Sequence, residues 1–364
     1  MGRGERALPH LYAHVPFCAH RCGYCDFVTV TGAEDLRGRY VDALIAELRR
    51  LPAGPVETVF VGGGTPSLLD DDLLARLLAA LPAAGEVTVE CNPETITPAK
   101  ARVLVEGGVT RVSLGAQSFR PHLLATLERL STPETVRGAV SMLREAGVEN
   151  LNLDLIFGVP GQSASDLEAD LDDVLTLRPD HVSAYELEAK PGTRFTHRHG
   201  AELERQADLM ERYYEEVVAR MQAAGYRWYE TANFCLPGRE SRHNLGYWLG
   251  HDYAGIGVGA VGTRGLERRR NLPSLPRYLD AVEAGGEPPA ELEQLTPAER
   301  MTERLMLGLR LDQPLELGGV EDALDRPAAE RLATAGLVEL QDGTIRLSER
   351  GRYVANSVLA SILR

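Results

Sequence analysis

Apolar and polar residues follow two different periods along the first two thirds of the chain. Short apolar runs predict β-strands at residues 11–17, 57–61, 87–91, 111–115, 150–157 and 181–187. Between them, apolar residues recur at three- and four-residue spacing, which predicts helices at 36–48, 68–81, 98–106, 132–146, 165–177 and 203–224. Six successive strand–helix units favour an α/β fold with a parallel sheet and right-handed crossovers. We therefore expect an open (β/α)6 partial TIM-type barrel.

The last part of the chain has a different pattern. Helices are predicted at 298–309, 319–324 and 328–334, followed by a hairpin at 337–341 and 344–347 and a closing helix at 348–363. This order is typical of a small winged-helix-like α+β domain. We therefore divide the chain into a barrel over 1–235, a connector over 236–290 and a carboxyl-terminal domain over 291–364. We expect this domain to pack on the barrel and to cover or gate its mouth.

The composition restricts the classes of function. Apolar residues make up 44% of the 364 residues, enough for a sizeable core, and the net charge is −14. Phosphate binding needs a basic face, so a nucleic-acid partner is not expected. The carboxyl-terminal domain itself holds thirteen acidic against nine basic residues. No apolar run reaches the ~20 residues that span a bilayer, and residues 1–9 lack the apolar centre of a signal peptide. We expect a cytoplasmic protein that is not integral to a membrane.

Three of the five cysteines lie together, directly after the first predicted strand. Cys18, Cys22 and Cys25 have the spacing C-x3-C-x2-C, and three thiolates on one tight loop are suited to three irons of a cubic [4Fe–4S] cluster. No further cysteine follows at a spacing that would ligate the fourth iron, which is left open to a ligand from outside the chain. A zinc site completed by His14 or His20 is an alternative. A disulfide is disfavoured because three clustered cysteines cannot all pair.

Polar residues also mark the ends of the later strands, where barrels of this kind carry their reacting groups. Strand two runs into Gly62-Gly-Gly-Thr-Pro66, strand three ends in Glu90, strand four is followed by Gln117 and strand five holds Asp154. Strands that are buried on both faces do not need such residues for solvation. Structural alternatives remain: the glycines suit a tight turn, Glu90 suits an ion pair at a strand end, and Arg129 suits a solvated helix.

The cysteine spacing resembles that of the radical S-adenosylmethionine (radical SAM) superfamily, in which the amino and carboxylate groups of SAM chelate the open iron. Four further elements narrow the resemblance: Tyr12-x-His-x-Pro-Phe-Cys18, Gly62-Gly-Gly-Thr-Pro-Ser67, His243-Asn-x-x-Tyr-Trp248 and Gly255-Ile-Gly-x-Gly-Ala260. Together they are similar to the porphyrin-biosynthesis family around the oxygen-independent coproporphyrinogen III oxidase, and within it to the HemW branch of heme chaperones. The similarity covers nearly the whole chain.

The resemblance implies roles for individual residues. It assigns the cluster to Cys18, Cys22 and Cys25 and places Tyr24 over the cofactor. It assigns SAM contacts to Tyr12, Gly63, Gly64, Thr65, Glu90, Gln117, Arg129, Asp154 and Val261. At Arg129 the chain departs from the family, because relatives usually have glycine where Glu128 precedes it. His243 is the expected heme contact, since imidazole is a common axial ligand of heme iron.

The resemblance leaves a choice of functions. The decarboxylase carries a fourth cysteine where this chain has Phe27, so coproporphyrinogen III oxidase activity is not expected. The HemW branch implies instead a protein that binds heme, a [4Fe–4S] cluster and SAM. Such a protein passes heme to acceptor proteins, membrane-bound respiratory enzymes among them. The alternatives are a radical SAM enzyme that acts on a tetrapyrrole, coproporphyrinogen III oxidase included, and a zinc-stabilised regulatory protein with a winged helix.

Overall fold

Six parallel strands form the centre of the computed structural model, which describes residues 8–188, 190 and 194–364. Residues 1–7, which hold most of the segment without signal-peptide character, lie outside this part. The six strands pair in chain order: β1 (His10–Val15), β2 (Val56–Gly63), β3 (Ala84–Cys91), β4 (Arg111–Gln117), β5 (Asn150–Phe157) and β6 (His181–Glu186). The prediction of a parallel sheet built from successive strand–helix units is confirmed.

Helices connect these strands, and all of them except α4 share one buried apolar core with the sheet. They are α1 (Arg37–Leu48), α2 (Asp71–Ala80), α3 (Pro98–Glu106), α4 (Pro121–Thr126), α5 (Pro133–Ala146), α6 (Ala164–Leu177) and α7 (Arg194–Ala223). Thr132 and Ser163 begin α5 and α6 because each side chain accepts a hydrogen bond from a backbone N–H three residues later, within a capping box. The sequence analysis missed α4, and α7 begins nine residues before the predicted start at 203.

Both edges of the parallel sheet are extended by strands that the sequence analysis did not identify. β7 (Arg227–Glu230) and β8 (Asn233–Cys235) are added beside β6 in antiparallel orientation. On the other edge lie β9 (Tyr253–Ile256), which is parallel to β1, and then β10 (Val261–Arg264), β11 (Glu267–Asn271) and β12 (Ala290–Gln294). β11 reads Glu-Arg-Arg-Arg-Asn and lacks the apolar alternation that marks a half-buried strand.

Residues 236–290 therefore belong to the main sheet as much as they connect it to the next domain. Two helices, α8 (Arg242–Trp248) and α9 (Leu275–Glu283), lie between the added strands. The twelve-stranded sheet keeps two separate edge strands, β12 and β7. The barrel is thus open, as the fold class predicted.

The inner face of the six central strands is polar over much of its length. Successive side chains of a strand point to opposite faces. One face is apolar and packs under the helices, while the other carries buried polar residues such as His10, Thr58, Asn152 and His181. These side chains hydrogen-bond across strands, as between His10 and Thr58 and between His181 and Asn152. The strand period therefore separates an apolar layer from a polar interior.

The carboxyl-terminal domain has a core of its own. Its elements are α10 (Pro297–Gly308), β13 (Leu315–Glu316), α11 (Arg326–Thr334), β14 (Val338–Gln341), β15 (Thr344–Leu347), α12 (Glu349–Tyr353) and α13 (Ala355–Ile362). The predicted hairpin is present as β14 and β15. The prediction of one closing helix over 348–363 is wrong, because Val354 leaves the helical conformation with φ −117° and ψ 30° and divides it into α12 and α13.

This domain packs against the edge strand β7. The Arg352 guanidinium lies 3.6 Å from the centre of the Trp228 ring and donates to the Trp228 carbonyl, while Arg310 pairs with the buried Glu230 at 2.6 Å. A cover over the barrel mouth stays a prediction. Among the described residues, no helix is both long and apolar enough to cross a membrane.

Candidate functional site

The three clustered cysteines lie on the loop between β1 and α1. The N–H of Cys18 donates to the Val30 carbonyl (3.0 Å) and the N–H of Val30 donates to the Pro16 carbonyl (2.8 Å), so the two ends of the loop are tied together. The N–H of Cys25 donates to the Cys22 carbonyl (3.1 Å), which closes a turn between them. All three cysteines are half-buried free thiols. The loop therefore presents three sulfur atoms from one compact turn.

Hydrogen-bond donors accompany these sulfur atoms. The Thr65 hydroxyl lies 3.6 Å from Cys18 Sγ, and Arg129 Nη1 lies 3.8 Å from Cys22 Sγ. Burial raises the pKa of the Cys18 and Cys25 thiols, so thiolates there need a positive partner, which iron supplies. The donor set therefore fits a cysteine-ligated cluster. Among the described residues, no three His, Cys, Asp or Glu side chains are placed to hold a single metal ion.

The glycine loop after β2 approaches the cluster loop so closely that side chains do not fit. Gly63 has φ +110°, and a Cβ at this position would lie 2.3 Å from the His14 ring. A Cβ at Gly64 would lie 2.6 Å from the Pro16 carbonyl carbon. Glycine is the residue that tolerates both the positive φ and the close approach. The N–H of Gly63 donates to Glu90 Oε2 (2.8 Å), which ties the loop to β3.

Two carboxyl groups stand near the ends of β3 and β5. Glu90 accepts the hydrogen bond from Gly63, and Asp154 accepts from the Ser113 hydroxyl (3.1 Å) and the Asn152 amide (2.7 Å). Burial, assisted by the charge of Asp154, raises the pKa of Glu90 to about 7, and burial also raises the pKa of Asp154. A cationic group bound between them would favour both ionised forms. The pair is therefore suited to a positively charged ligand.

Arg129 reaches this site and is not a solvated helix residue. Its Nη2 donates to Asn92 Oδ1 (2.8 Å) and to the Gly115 carbonyl (3.1 Å). The preceding Glu128 has φ +55°, the left-handed conformation that glycine adopts most readily. The backbone conformation of this turn thus explains why similar proteins usually carry glycine at this position. Glutamate adopts the same turn here, and the departure from the family pattern leaves Arg129 in place.

Gln117 and Tyr24 lie at the border of the site. Gln117 has φ +64°, and the register between β4 and β5 shifts from Gly115 to Gln117. A non-glycine residue in this conformation costs about 1–3 kcal/mol and is often found at functional sites. Tyr24 packs on a small apolar cluster that includes Leu123 and Leu127, and burial raises its pKa. Tyr24 itself belongs to the cluster loop, between Cys22 and Cys25.

A cavity of about 690 Å³ opens between the cluster loop and the strands β9–β12. Its aromatic and apolar wall comprises Tyr12, Phe27, Val28, Tyr247, Tyr253, Val261 and Leu292. Its polar rim comprises Arg268, Arg270, Glu291 and Glu293. Tyr12 and Val261, both expected to contact SAM, thus face this cavity. The hydroxyl of Tyr12 is hydrogen bonded to His14 Nδ1 (2.9 Å).

His243 does not line the cavity. It lies on α8 with 1% of its surface exposed, and Glu86 accepts hydrogen bonds from the backbone N–H groups of Arg242 and His243. Its Nδ1 is bonded to the Thr58 hydroxyl (2.7 Å) and its Nε2 to the Tyr247 hydroxyl (2.9 Å). Burial lowers the pKa of His243 to about 3. The expected heme contact would require the ring to leave both partners, and it stays a prediction.

The sequence analysis did not single out Asn92, which connects the parts of the site. Its Nδ2 donates to Thr65 Oγ1 (3.1 Å) while its Oδ1 accepts from Arg129. The signal available in the sequence is its place directly after β3. We call the following set the strand-end site: Cys18, Cys22, Cys25, Gly63, Gly64, Thr65, Glu90, Asn92, Arg129 and Asp154.

Comparison with known proteins gives this arrangement a family. Residues 12–174 match the radical SAM superfamily and residues 295–354 match the HemN C-terminal domain. The heme chaperone HemW of Mycobacterium tuberculosis is 41% identical over 369 residues, which cover 97% of this chain and 94% of that protein. Proteins of the same name from Bacillus subtilis and Escherichia coli are each 33% identical, cover 97% of this chain, and are covered over 98% and 97% of their own length.

A solved structure supports the fold. Coproporphyrinogen III oxidase (HemN) from Escherichia coli, described as a radical SAM enzyme, superposes with a TM-score of 0.83, covering 98% of this chain and 90% of that chain at 23% identity. This likeness confirms the partial barrel with its small carboxyl-terminal domain. The family itself follows from the full-length similarity to the HemW proteins and from the radical SAM match over the cysteine loop. The chain belongs to the HemW family of the radical SAM superfamily.

Proposed function

We propose that this protein binds a [4Fe–4S] cluster, SAM and heme, and that it transfers heme to acceptor proteins. Cys18, Cys22 and Cys25 would hold the cluster. SAM would be held by Tyr12, Gly63, Gly64, Thr65, Glu90, Gln117, Arg129, Asp154 and Val261, with Tyr24 beside it. Bound to the cluster, SAM supplies the capacity for one-electron radical chemistry. The geometry of the strand-end site and the name of the full-length relatives support this reading.

The observation that carries the heme part of the proposal is the wall of the cavity. Phe27 and Leu292 are the two most exposed large apolar side chains among the described residues, at 65% and 64%. Both line the same cavity. Exposed apolar residues that converge on one concave surface mark a binding site for an apolar ligand. Tyr253 adds an aromatic ring to that wall, which suits the flat face of a tetrapyrrole.

The rim of the cavity suits the carboxylates that such a ligand carries. Arg268 and Arg270 of β11 pair with Glu293 and Glu291 of β12, and all four residues line the cavity. Arg268 is held by Glu303, with both carboxylate oxygens at 2.8 Å from Nη2. Arg270 is exposed at the rim. We assign the apolar wall to the tetrapyrrole ring and the Arg270 side of the rim to its propionates.

Hemin titration of the anaerobically reconstituted protein tests this assignment. We expect saturable binding to the wild type, and at least about tenfold weaker binding to Phe27→Glu and Leu292→Glu, because each places a charge against the apolar ring. Leu249→Glu is the matched control: it changes an exposed leucine, at 44% exposure, that does not line the cavity. Absence of hemin binding to the wild type would contradict the function, and equal effects of the three variants would contradict the location.

A second assay addresses the enzymatic alternative. Reconstituted protein with SAM, a reductant and coproporphyrinogen III should form no protoporphyrinogen, since Phe27 stands where the decarboxylase carries its fourth cysteine. Transfer of bound heme to an apo-acceptor should in turn be seen as a shift of the heme spectrum to that of the acceptor. Formation of protoporphyrinogen would replace the chaperone proposal with an oxidative decarboxylase.

A further inference from the structure

A continuous row of hydrogen bonds runs from the protein surface to the cavity. Nδ1 of the exposed His251 lies 3.0 Å from His10 Nε2, and His10 Nδ1 lies 2.8 Å from Thr58 Oγ1. The same Thr58 oxygen lies 2.7 Å from His243 Nδ1, and His243 Nε2 lies 2.9 Å from the hydroxyl of Tyr247, which lines the cavity. We call these five residues the histidine chain.

Every member of the histidine chain can both donate and accept a hydrogen bond. In one arrangement Tyr247 donates to His243, whose Nδ1–H donates to Thr58. The Thr58 hydroxyl then donates to His10, and the Nε2–H of His10 donates to His251. In the other arrangement all four bonds are reversed. Because the Thr58 hydroxyl has a single hydrogen, His10 and His243 hold opposite tautomers in both arrangements.

The other two buried histidines do not have this freedom. His14 Nε2 faces the carbonyl of Val28 at 2.8 Å, and a carbonyl only accepts, so that nitrogen carries the hydrogen. His181 Nδ1 faces Asn152 Oδ1 at 2.6 Å. The amide nitrogen of Asn152 donates to Asp154, which fixes its oxygen toward His181. A reversible row of bonds is therefore particular to the histidine chain among the buried histidines.

The surroundings keep the two buried rings neutral, as a concerted shift of protons along the row requires. Burial, followed by the neighbouring His251, lowers the pKa of His10, while Glu57 opposes this and Arg242 adds to it. Burial also lowers the pKa of His243 to about 3, with His10 and Arg111 contributing. Each ring thus offers one N–H and one bare nitrogen.

We propose that the histidine chain is a proton relay between the solvent and the cavity. A proton from the cavity binds the Tyr247 oxygen, whose own proton passes to His243 Nε2. The Nδ1 proton of His243 passes to Thr58, the Thr58 proton passes to His10 Nδ1, and the Nε2 proton of His10 passes to His251 Nδ1. His251 then releases its Nε2 proton to water. One proton enters and one leaves, every intermediate residue ends neutral, and the His243 and His10 rings end in their other tautomers.

The relay gives a bound ligand a route for the proton that coordination displaces. A phenol or water molecule that binds ferric iron loses a proton, and the Tyr247 hydroxyl on the cavity wall offers that proton an acceptor. This use rests on the proposed heme binding, whereas the relay itself does not. Reversal of the row on ligand release returns the chain to its first arrangement.

Nitrogen NMR of the histidine-labelled apoprotein tests the relay without any cofactor. We expect His10 and His243 to exchange between tautomers, with complementary populations, while His14 and His181 each show one tautomer. Thr58→Val should end the exchange and place both rings in the Nε2–H form, since valine accepts no hydrogen bond.

Thr88→Val is the matched control. Thr88 is as buried as Thr58. It pairs with Phe60, which is two residues from Thr58 on β2, so Thr88 and Thr58 point to the same face of the sheet. The Thr88 hydroxyl has no hydrogen-bond partner. A single fixed tautomer of each ring in the wild type would overturn the relay.

Stopped-flow measurement of proton release on hemin binding, followed with a pH dye, supplies a second test. Release should be about 10²-fold slower in Thr58→Val than in Thr88→Val, the lower end of what a positioned proton-transfer group contributes. Equal rates would also overturn the relay. Failure of the wild type to bind hemin would contradict the proposed function alone and leave the tautomer exchange to decide on the relay.

Discussion

The barrel interior contains two polar clusters that differ in how completely their hydrogen bonds are made. In the histidine chain, each ring nitrogen of His10 and His243 has a partner at 2.7–3.0 Å. In the strand-end site, Arg129 Nε is buried without a partner. Among the described residues of this interior, the histidine chain is therefore a complete hydrogen-bond network, and the strand-end site is an incomplete one.

This difference between the two clusters indicates which of them needs a ligand. A buried polar atom without a partner costs free energy, and a ligand bound beside Arg129 Nε would remove that cost. Residues with positive φ also occur in and around the strand-end site: Gly63 belongs to it, Glu128 directly precedes Arg129, and Gln117 ends β4. The histidine chain contains none of these. We infer that the strand-end site is built for an occupant, whereas the histidine chain is complete by itself and suited to transfer.

The largest expected effect separates the cysteines of the strand-end site from the buried ones. Cys25→Ala should abolish cluster assembly, because two thiolates remain for three irons. Cys91→Ala should retain it, since burial raises the pKa of the Cys91 thiol to about 12 and leaves it protonated. Iron and sulfide content with the absorption spectrum after anaerobic reconstitution measures both. A normal cluster in Cys25→Ala would show that another residue ligates the third iron.

Smaller effects are expected at Glu90, where a substitution should weaken SAM binding but increase the free energy of unfolding. Glu90→Gln keeps an acceptor for Gly63 but removes the charge, and hydrogen bonds to charged groups are worth about 1.5–3 kcal/mol, so SAM affinity should fall about 10- to 100-fold. The free energy of unfolding at pH 8 should rise by about 1–3 kcal/mol, because a desolvated carboxylate is removed. Equilibrium dialysis and urea denaturation measure the two quantities.

The gain in stability at Glu90 should depend on pH. The pKa of Glu90 in the folded protein is about 7, above its ordinary value of 4.5. Between these values the folded state binds more protons than the unfolded one, so the stability of the wild type falls as pH rises through this window. Glu90→Gln removes that fall, and the two proteins should be equally stable below about pH 4.5. A pH-independent difference would assign the effect to packing.

The central sheet could be predicted because its strands carry long apolar runs. β5, with Leu151, Leu153 and Leu155 under the helices, is found at 150–157 from the sequence and in the structure. β11 and β12 could not be predicted from the sequence, because their exposed, charged residues lack the apolar pattern of a strand. They are strands because backbone pairing with β10 satisfies their N–H and C=O groups, which depends on distant parts of the chain.

In the candidate site, too, some residues could be predicted from the sequence and others depend on contacts between distant parts of the chain. Spacing along one loop predicts the cysteines as cluster ligands, and the resemblance predicts SAM contacts at Glu90 and Arg129. The role of Asn92 between Thr65 and Arg129 depends on two loops meeting, which no local pattern reveals. His243 illustrates the converse: its motif suggests a ligand, while the fold uses both nitrogens internally. Residue type suggests chemistry, but the number of atoms left without partners follows only from packing.

The smallest expected effect concerns the strained turn that positions Arg129. Glu128→Gly should stabilise the protein by about 0.5 kcal/mol, because relief of the left-handed conformation, worth about 1–2 kcal/mol, exceeds the chain entropy that glycine adds. The lost contacts of Glu128 with Arg194 and His20, which are both exposed, contribute little. Glu168→Gly, on the exposed side of α6, is the control and should cost about 1 kcal/mol. Urea denaturation compares them. Destabilisation by Glu128→Gly, with loss of SAM binding, would show that the glutamate side chain rather than the turn holds Arg129 in the strand-end site.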